Sequence, residues 1–194
     1  MARSGERKTQ ILQTLAQMLE GPAAERITTA ALAARIGVSE AALYRHFKGK
    51  ADMFAGLIDF VEDTLFTLIN KISSDEQSGL RQTDAIIGML LGFAQKNRGM
   101  TRVLIGDALV TEDNALQARI NQIHDRLEAA LKQALRFALT RGEIAADVDP
   151  AAQANALMSF VAGRWHQYAK SGFRRDPAEY WPQQWKRLTA GVLP

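Results

Sequence analysis

Apolar residues recur along this chain at intervals of three and four, the spacing that places them on one face of a helix. Ile11, Leu12, Leu15, Met18 and Leu19 predict a first helix over about residues 6–20, stopped by Gly21-Pro22. Two short segments follow within residues 27–47. The first carries Leu32, Ala33 and Ile36. The second carries Leu43 and Phe47, four apart and so on one buried face. A fourth helix is predicted over residues 50–72, with Met53, Phe54, Leu57, Ile58, Val61, Leu65, Leu68 and Ile69 on its apolar side. Residues 73–79 read as a polar linker. Residues 80–96 form a fifth helix around the run IIGMLLGF, broken by Asn97-Arg98-Gly99. A shorter helix is predicted over residues 100–110. A long one covers residues 112–141, with Leu116, Ile120, Ile123, Leu127, Leu131, Leu135 and Ala138 as a steady stripe. Gly142 closes it as a left-handed cap. Asp149-Pro150 opens an eighth helix with Leu157, Val161, Trp165 and Tyr168 on one face, Ala154 and Met158 beside them. A ninth follows Asp176-Pro177 and carries Tyr180, Trp181, Trp185 and Leu188. No alternation of period two is visible. The expectation is an all-α fold of about nine helices.

The segment over residues 27–47 has a particular layout. Thr28 or Thr29 can cap its first helix and Ser39 its second, because a side-chain hydroxyl accepts from orphan helix amides. Gly37 stands where the chain leaves the first helix and favours positive φ. With Leu43 and Phe47 inward, Ser39, Glu40, Ala41, Tyr44, Arg45 and His46 face outward. Small residues at a helix start allow close approach to a groove. A hydroxyl, a phenol and an arginine suit phosphates and base edges. This is the layout of a helix-turn-helix whose second helix enters the DNA major groove. Thr28, Thr29, Ser39, Glu40, Ala41, Tyr44, Arg45, His46, Lys48 and Lys50 are the candidate DNA contacts. Lys50 is included because a lysine at a helix N-terminus opposes the macrodipole, a conflict that a nearby phosphate relieves.

A small residue at a two-helix corner is commonplace, and charge decides between the readings. Residues 1–50 hold eight Lys or Arg and four Glu, a balance of +4, where the whole chain carries +3. The basic excess is thus confined to the segment with the motif, as an electrostatic footprint on DNA requires. Arg3, Arg7 and Lys8 read either as a basic arm lying along the duplex or as a solvated terminus.

Composition narrows the remaining classes. There is no cysteine, so no disulfide framework and no zinc–thiolate site. No stretch approaches the roughly 20 apolar residues of a membrane span, and the start MARSGERKTQ lacks the apolar run of a secretory signal. The expected location is the cytoplasm. No G-x-S-x-G elbow, phosphate-cradling loop or H-E-x-x-H occurs. His46, His124 and His166 lie in three different helices. His124 reads as a surface partner of Glu128 one turn on. Neither catalytic residues nor a metal or cofactor site are expected.

ITTAALAARIGVSEAALYRHFKGKADMF resembles the N-terminal domain of the TetR family of bacterial regulators. SEAALYRHF, LIDFVEDTL, LLGFAQKNRGMTRVL and LQARINQIHDRLEA are similar to the nucleoid occlusion branch of that family. The likeness runs from about Ile11 to about Leu135 and weakens over the last two helices. It implies a helix-turn-helix domain over residues 1–49 and a helical partner-binding and dimerisation domain over residues 50–194. It implies a homodimer on palindromic chromosomal sites, with one or two dimers per site, associated with the nucleoid. On DNA it would capture the C-terminal tail of the tubulin-like division protein FtsZ and prevent ring assembly over unsegregated DNA. Carried over residue by residue, the tail would meet Phe60, Met89, Gly92, Lys96 and Asn97 between the fourth and fifth helices. Lys96 keeps a positive charge where the branch has arginine, and Leu68 replaces a basic residue.

Several residues have a plainer reading beside this one. Phe60 reads equally as a core aromatic. Gly88 and Gly92 each cost about 1 kcal/mol in a helix interior relative to alanine. Close helix packing accounts for Gly88, and for Gly92 a shallow ligand-facing surface does as well. All three tryptophans lie in the last two helices. Trp165, Tyr168, Trp181 and Trp185 are therefore the candidate dimer residues, since large aromatics are enriched at interfaces. The commoner role in the broad family is a transcriptional repressor released from DNA by a small-molecule effector. That role needs an enclosed cavity where FtsZ capture needs exposed apolar residues ringed by charge.

Overall fold

The computed structural model describes residues 4–21, 27–109 and 114–194. Arg3, Pro22 and the expected helix boundaries at Val110 and Glu112 lie outside these. Among the described residues every regular element is helical: α1 (Ser4–Leu19), α2 (Thr29–Ile36), α3 (Glu40–Tyr44), α4 (Lys50–Asp75), α5 (Gly79–Lys96), α6 (Arg98–Leu104), α7 (Asn114–Thr140), α8 (Pro150–Lys170) and α9 (Trp181–Thr189). A 3-10 turn, Asp107–Leu109, follows α6. None of these helices is long and apolar enough to cross a membrane.

The chain divides into two compact units. One is Met1–Glu62 with Asn97–Ile120, the other Asp63–Lys96 with Asn121–Pro194. The first takes in more than the head expected over residues 1–49. It includes the N-terminal half of α4 and returns at α6, which packs directly on α1. Gly99 permits that packing: a Cβ there would overlap the Ala16 carbonyl oxygen. Ile11, Leu15, Leu19, Leu32, Leu43, Met53, Phe54, Leu57, Ile58, Val61, Val103 and Leu104 form the core of this unit. Burial of such side chains contributes roughly 1.5–3 kcal/mol each.

In the second unit α5 packs on α8. Ile86, Ile87, Leu90, Leu91, Leu127, Leu131, Leu135, Leu157 and Val161 fill the space with Trp165, whose Nε1 donates to the Leu90 carbonyl at 3.1 Å. Gly79 lets the start of α5 approach α7 until a Cβ would overlap the backbone at Ala134 and Ala138. Ser78 Oγ accepts from Arg81 N, and Glu143 Oε2 accepts from Leu80 N at 2.9 Å and Ser78 Oγ at 2.8 Å. The first turn of α5 is thereby capped from both its own sequence and the loop after α7. Burial pushes the Glu143 carboxyl up, but the bonds from Leu80, Ser78 and Arg141 outweigh it and hold the group below its ordinary value.

The helix boundaries depart from the hydrophobic pattern in three places. Residues 73–75 belong to α4 and not to a linker. Gln82 explains this, since its Nε2 donates to the carbonyls of Ser73 and Glu76 at the end of that helix. The break after α5 is narrower than Asn97-Arg98-Gly99: only Asn97 leaves helical geometry, and Arg98 and Gly99 open α6. α6 then ends at Leu104, because Gly106 has φ +76° and turns the chain out of the helix. Leu68, placed on the apolar side of α4, is 38% exposed.

Candidate functional site

The polar surface of the first unit is built by α2 and α3. Thr28 caps α2, its hydroxyl accepting from Ala31 N at 3.1 Å. Gly37 takes φ +77° and closes α2, as its position demanded. Ser39 caps α3 and accepts from Ala42 N at 3.3 Å. Helical geometry ends at Tyr44, earlier than the spacing of Leu43 and Phe47 implied. A bond from Phe47 N to the Leu43 carbonyl nevertheless carries Phe47 onto the buried face.

What this leaves outward is nearly the predicted set. Thr28, Ser39, Glu40, Ala41, Tyr44, Arg45 and Lys48 are exposed, while Thr29, His46 and Lys50 are half-buried. Tyr44 is 50% exposed, a large value for a tyrosine in a packed domain. Thr29 Oγ1 donates to Glu40 Oε2 at 2.7 Å and stands 3.4 Å from the Tyr44 hydroxyl. This cluster ties the start of α2 to α3. Glu40 is therefore engaged in positioning Thr29, which sequence spacing did not show because the partners lie eleven residues apart.

The turn into α4 has its own devices. Asp52 Oδ2 accepts from Lys48 N at 2.9 Å, so a carboxylate sits in the first turn of α4. It offsets the conflict between Lys50 and the helix dipole that had suggested a phosphate there. The Lys50 ammonium lies 5.7 Å from the centre of the Phe54 ring, and Lys8 stands 5.3 Å from that of Phe47. Both stems are thus held against aromatic rings on the basic side of this unit.

The second set of candidates is distributed over both units. In the first, Phe60 on α4 is 49% exposed, so its reading as a core aromatic is set aside. Its neighbours Asp59 and Glu62 are held by Arg119 of α7, at 2.6 Å and 3.3 Å. Asn97 is half-buried, and its carbonyl accepts from Thr101. In the second unit Met89, Gly92 and Lys96 recur at three and four along α5 and share a face. Met89 is half-buried and Lys96 exposed. A Cβ at Gly92 would meet nothing within 4 Å, so this glycine leaves a shallow spot open to solvent. Gly88 differs: a Cβ there would touch the Trp181 indole, the close packing expected of it.

The aromatic dimer candidates need correction. Trp165 is 0% exposed and Tyr168 is buried, its hydroxyl donating to the Gln95 carbonyl at 3.2 Å. Trp181 is also buried and donates from Nε1 to Asp84 at 2.9 Å. Burial holds that carboxyl above its ordinary value, with the indole bond pulling the other way. These three side chains belong to the core of their own chain, because α5 offers each an acceptor. Trp185 is half-buried and packs at a tilt against Trp181, 5.5 Å between centroids. His124 likewise is no surface partner of Glu128. Its ring meets the edge of Trp165 at 5.8 Å, and Glu128 accepts from Asn155 instead.

Comparison with known proteins sets these surfaces in a family. A profile of bacterial regulatory proteins of the tetR family matches residues 11–57. A second, SlmA-like profile, described as a tetracyclin repressor-like C-terminal domain, matches residues 77–192. The nucleoid occlusion factor SlmA of Marinomonas sp. (strain MWYL1) is 46% identical over 98% of this chain and 97% of its own. That of Alteromonas mediterranea is 50% identical over 92% of each. Among solved structures, the fatty acid degradation regulator FadR of Bacillus halodurans aligns over 98% of both chains with a TM-score of 0.80. AibR, solved with isovaleryl coenzyme A and operator DNA, aligns over 93% of this chain and 97% of its own with a TM-score of 0.74. At 15% and 17% identity these two share the fold. The chain belongs to the TetR family of bacterial regulators, in its branch of SlmA nucleoid occlusion factors.

Proposed function

We propose that this protein is a nucleoid occlusion factor that binds specific chromosomal DNA through α2 and α3 and, while bound, restrains FtsZ assembly over the nucleoid. The observation that carries the DNA half is the exposed row Ser39, Ala41, Tyr44 and Arg45 on a capped recognition helix, within the segment that holds the chain's basic excess. Small residues at the start of α3 admit it to the major groove, and Arg45, Lys48 and Lys50 meet phosphates. Thr28 and Thr29 stand at the N-terminus of α2, where backbone amides favour a phosphate.

The partner half rests on the branch to which the chain belongs and on exposed apolar groups beside charge. Phe60 and Met89 offer apolar surface, Gly92 lets a peptide backbone approach, Lys96 attracts acidic residues and Asn97 hydrogen-bonds main chain. The partner is the C-terminal tail of FtsZ. Leu68 is exposed where the branch carries a basic residue, so the acidic tail is held with one charge fewer there.

Regulators of this family bind DNA as dimers. Since the inward face of α8 is core, the dimer forms through its opposite face, where Ala152, Asn155, Ala156, Ser159, Gly163 and His166 are exposed, and through α9 around Trp185. Two heads then meet half-sites roughly 34–36 Å apart, one helical turn.

The effector-released repressor is the competing reading. Pull-down of FtsZ by the full-length protein, with and without its DNA site, separates the two. DNA-promoted capture supports the proposal. Absence of capture, with release from DNA by a small molecule, replaces it.

A further inference from the structure

We propose that Arg119 of α7 is a positioning residue of the partner site, offsetting the carboxylates that flank Phe60 so that an acidic peptide can cover that ring. The inference rests on the reading of Phe60 as a partner contact given above.

The need for such a residue follows from the sequence of α4. Between Lys50 and Lys71 this helix carries Asp52, Asp59, Glu62 and Asp63 and no lysine or arginine. Phe60 sits within the acidic run, and its ring is 49% exposed. A negatively charged peptide approaching Phe60 meets like charge, which disfavours a partner strongly. Covering the ring also takes neighbouring carboxylates out of water, which is costly unless each keeps a counter-charge and a donor.

The long helix α7 supplies the cation that α4 lacks. Arg119 Nη2 donates to Asp59 Oδ1 at 2.6 Å and to Glu62 Oε2 at 3.3 Å. A terminal guanidinium nitrogen carries two hydrogens, so both bonds form at once. Arg119 is half-buried. Burial opposes its positive charge, but the two carboxylates outweigh that and hold the guanidinium above its ordinary value. Asp59, Phe60, Glu62 and Arg119 all belong to the first unit. Asp59 keeps 62% of its side chain exposed, and pairs this open contribute little to stability. Arg119 can therefore be replaced in the folded protein, and its contribution lies in the charge it presents beside Phe60.

A fluorescent peptide of the FtsZ C-terminal tail, titrated with the full-length protein on its specific duplex, tests this. Arg119→Gln should weaken the peptide about five- to tenfold at low salt, and the deficit should shrink as salt rises. Arg119→Lys keeps the charge and should bind within about threefold of wild type. Adding Asp59→Asn and Glu62→Gln to Arg119→Gln removes the uncompensated charges and should restore binding to about the wild-type level. A role limited to tying α4 to α7 would not be restored in this way. Duplex affinity should stay at the wild-type level in every variant, with melting temperature measured alongside. If wild type does not bind the peptide, the proposed function fails and this inference with it. If wild type binds and a folded Arg119→Gln variant binds as tightly, or if the triple variant stays as weak as Arg119→Gln, the inference alone is overturned.

Discussion

As proposed DNA contacts, Tyr44 and Lys50 would act differently, and single substitutions separate them. Tyr44→Phe removes only the hydroxyl near Thr29, so it should weaken binding at a specific site more than on random duplex. Lys50→Ala removes the proposed phosphate contact and should weaken both about equally, lowering the slope of log K against log salt by about 0.9. Fluorescence anisotropy over a salt series reads both effects, and an unchanged slope for Lys50→Ala would take that residue off the DNA surface. Glu143 makes a prediction of another kind. Its carboxyl is held below the ordinary glutamate value in the folded chain, so the native state favours its ionised form. The stabilisation is fully present above the unfolded value of about 4.3 and is lost as pH falls through the lower folded value. Glu143→Gln should cost about 1 kcal/mol at neutral pH, the size of a helix cap. It should also flatten the dependence of stability on pH in the acid range, as urea titrations at several pH values would show.

At the scale of elements, the glycines give the sharpest contrast. Gly99→Ala and Gly79→Ala both place a methyl group on backbone atoms of a neighbouring helix, so each should destabilise by roughly 1–3 kcal/mol or more. Gly92→Ala meets open space and should stabilise α5 by up to about 1 kcal/mol, while weakening FtsZ capture. Melting temperatures for the three variants check the ranking. A Gly92→Ala protein as unstable as the other two would mean that α5 is covered there. Sequence spacing located the helices because core stripes repeat every three or four residues, as the seven predicted positions of α7 show by all being buried. The same spacing could not orient the aromatics of α8, since a tryptophan on an amphipathic face suits a core and an interface equally. Trp165 was settled by the Leu90 carbonyl, an acceptor 75 residues away. Phe60 was ambiguous for the same reason, because Leu57, Ile58 and Val61 already complete the buried stripe of α4. The caps at Thr28, Gly37 and Ser39 were legible, being local chemistry. The cap that Glu143 places on α5 was not, since its partners are 63 and 65 residues distant.

For the whole molecule, the proposed function assigns DNA recognition, dimer formation and FtsZ capture to different residues, so the three should be separable by substitution. Gly163→Arg places a long charge on the outward face of α8, and the resulting chain should sediment as a monomer and lose affinity for a palindromic site while keeping its helical content. If that variant remained a dimer, the outward face of α8 would not be the interface. Phe60→Ala should weaken FtsZ capture without changing the fold, since half of the ring is already in solvent. The most direct test of the central claim is sedimentation of FtsZ polymers with GTP, the full-length protein and duplex carrying its specific site. Wild type should reduce the pelleted FtsZ strongly with the specific duplex and weakly with random duplex. Lys96→Glu should bind the duplex as wild type does and fail to reduce the pellet. A wild-type protein that left FtsZ polymers intact on its own site, or a Lys96→Glu protein that dispersed them as well as wild type, would contradict the account.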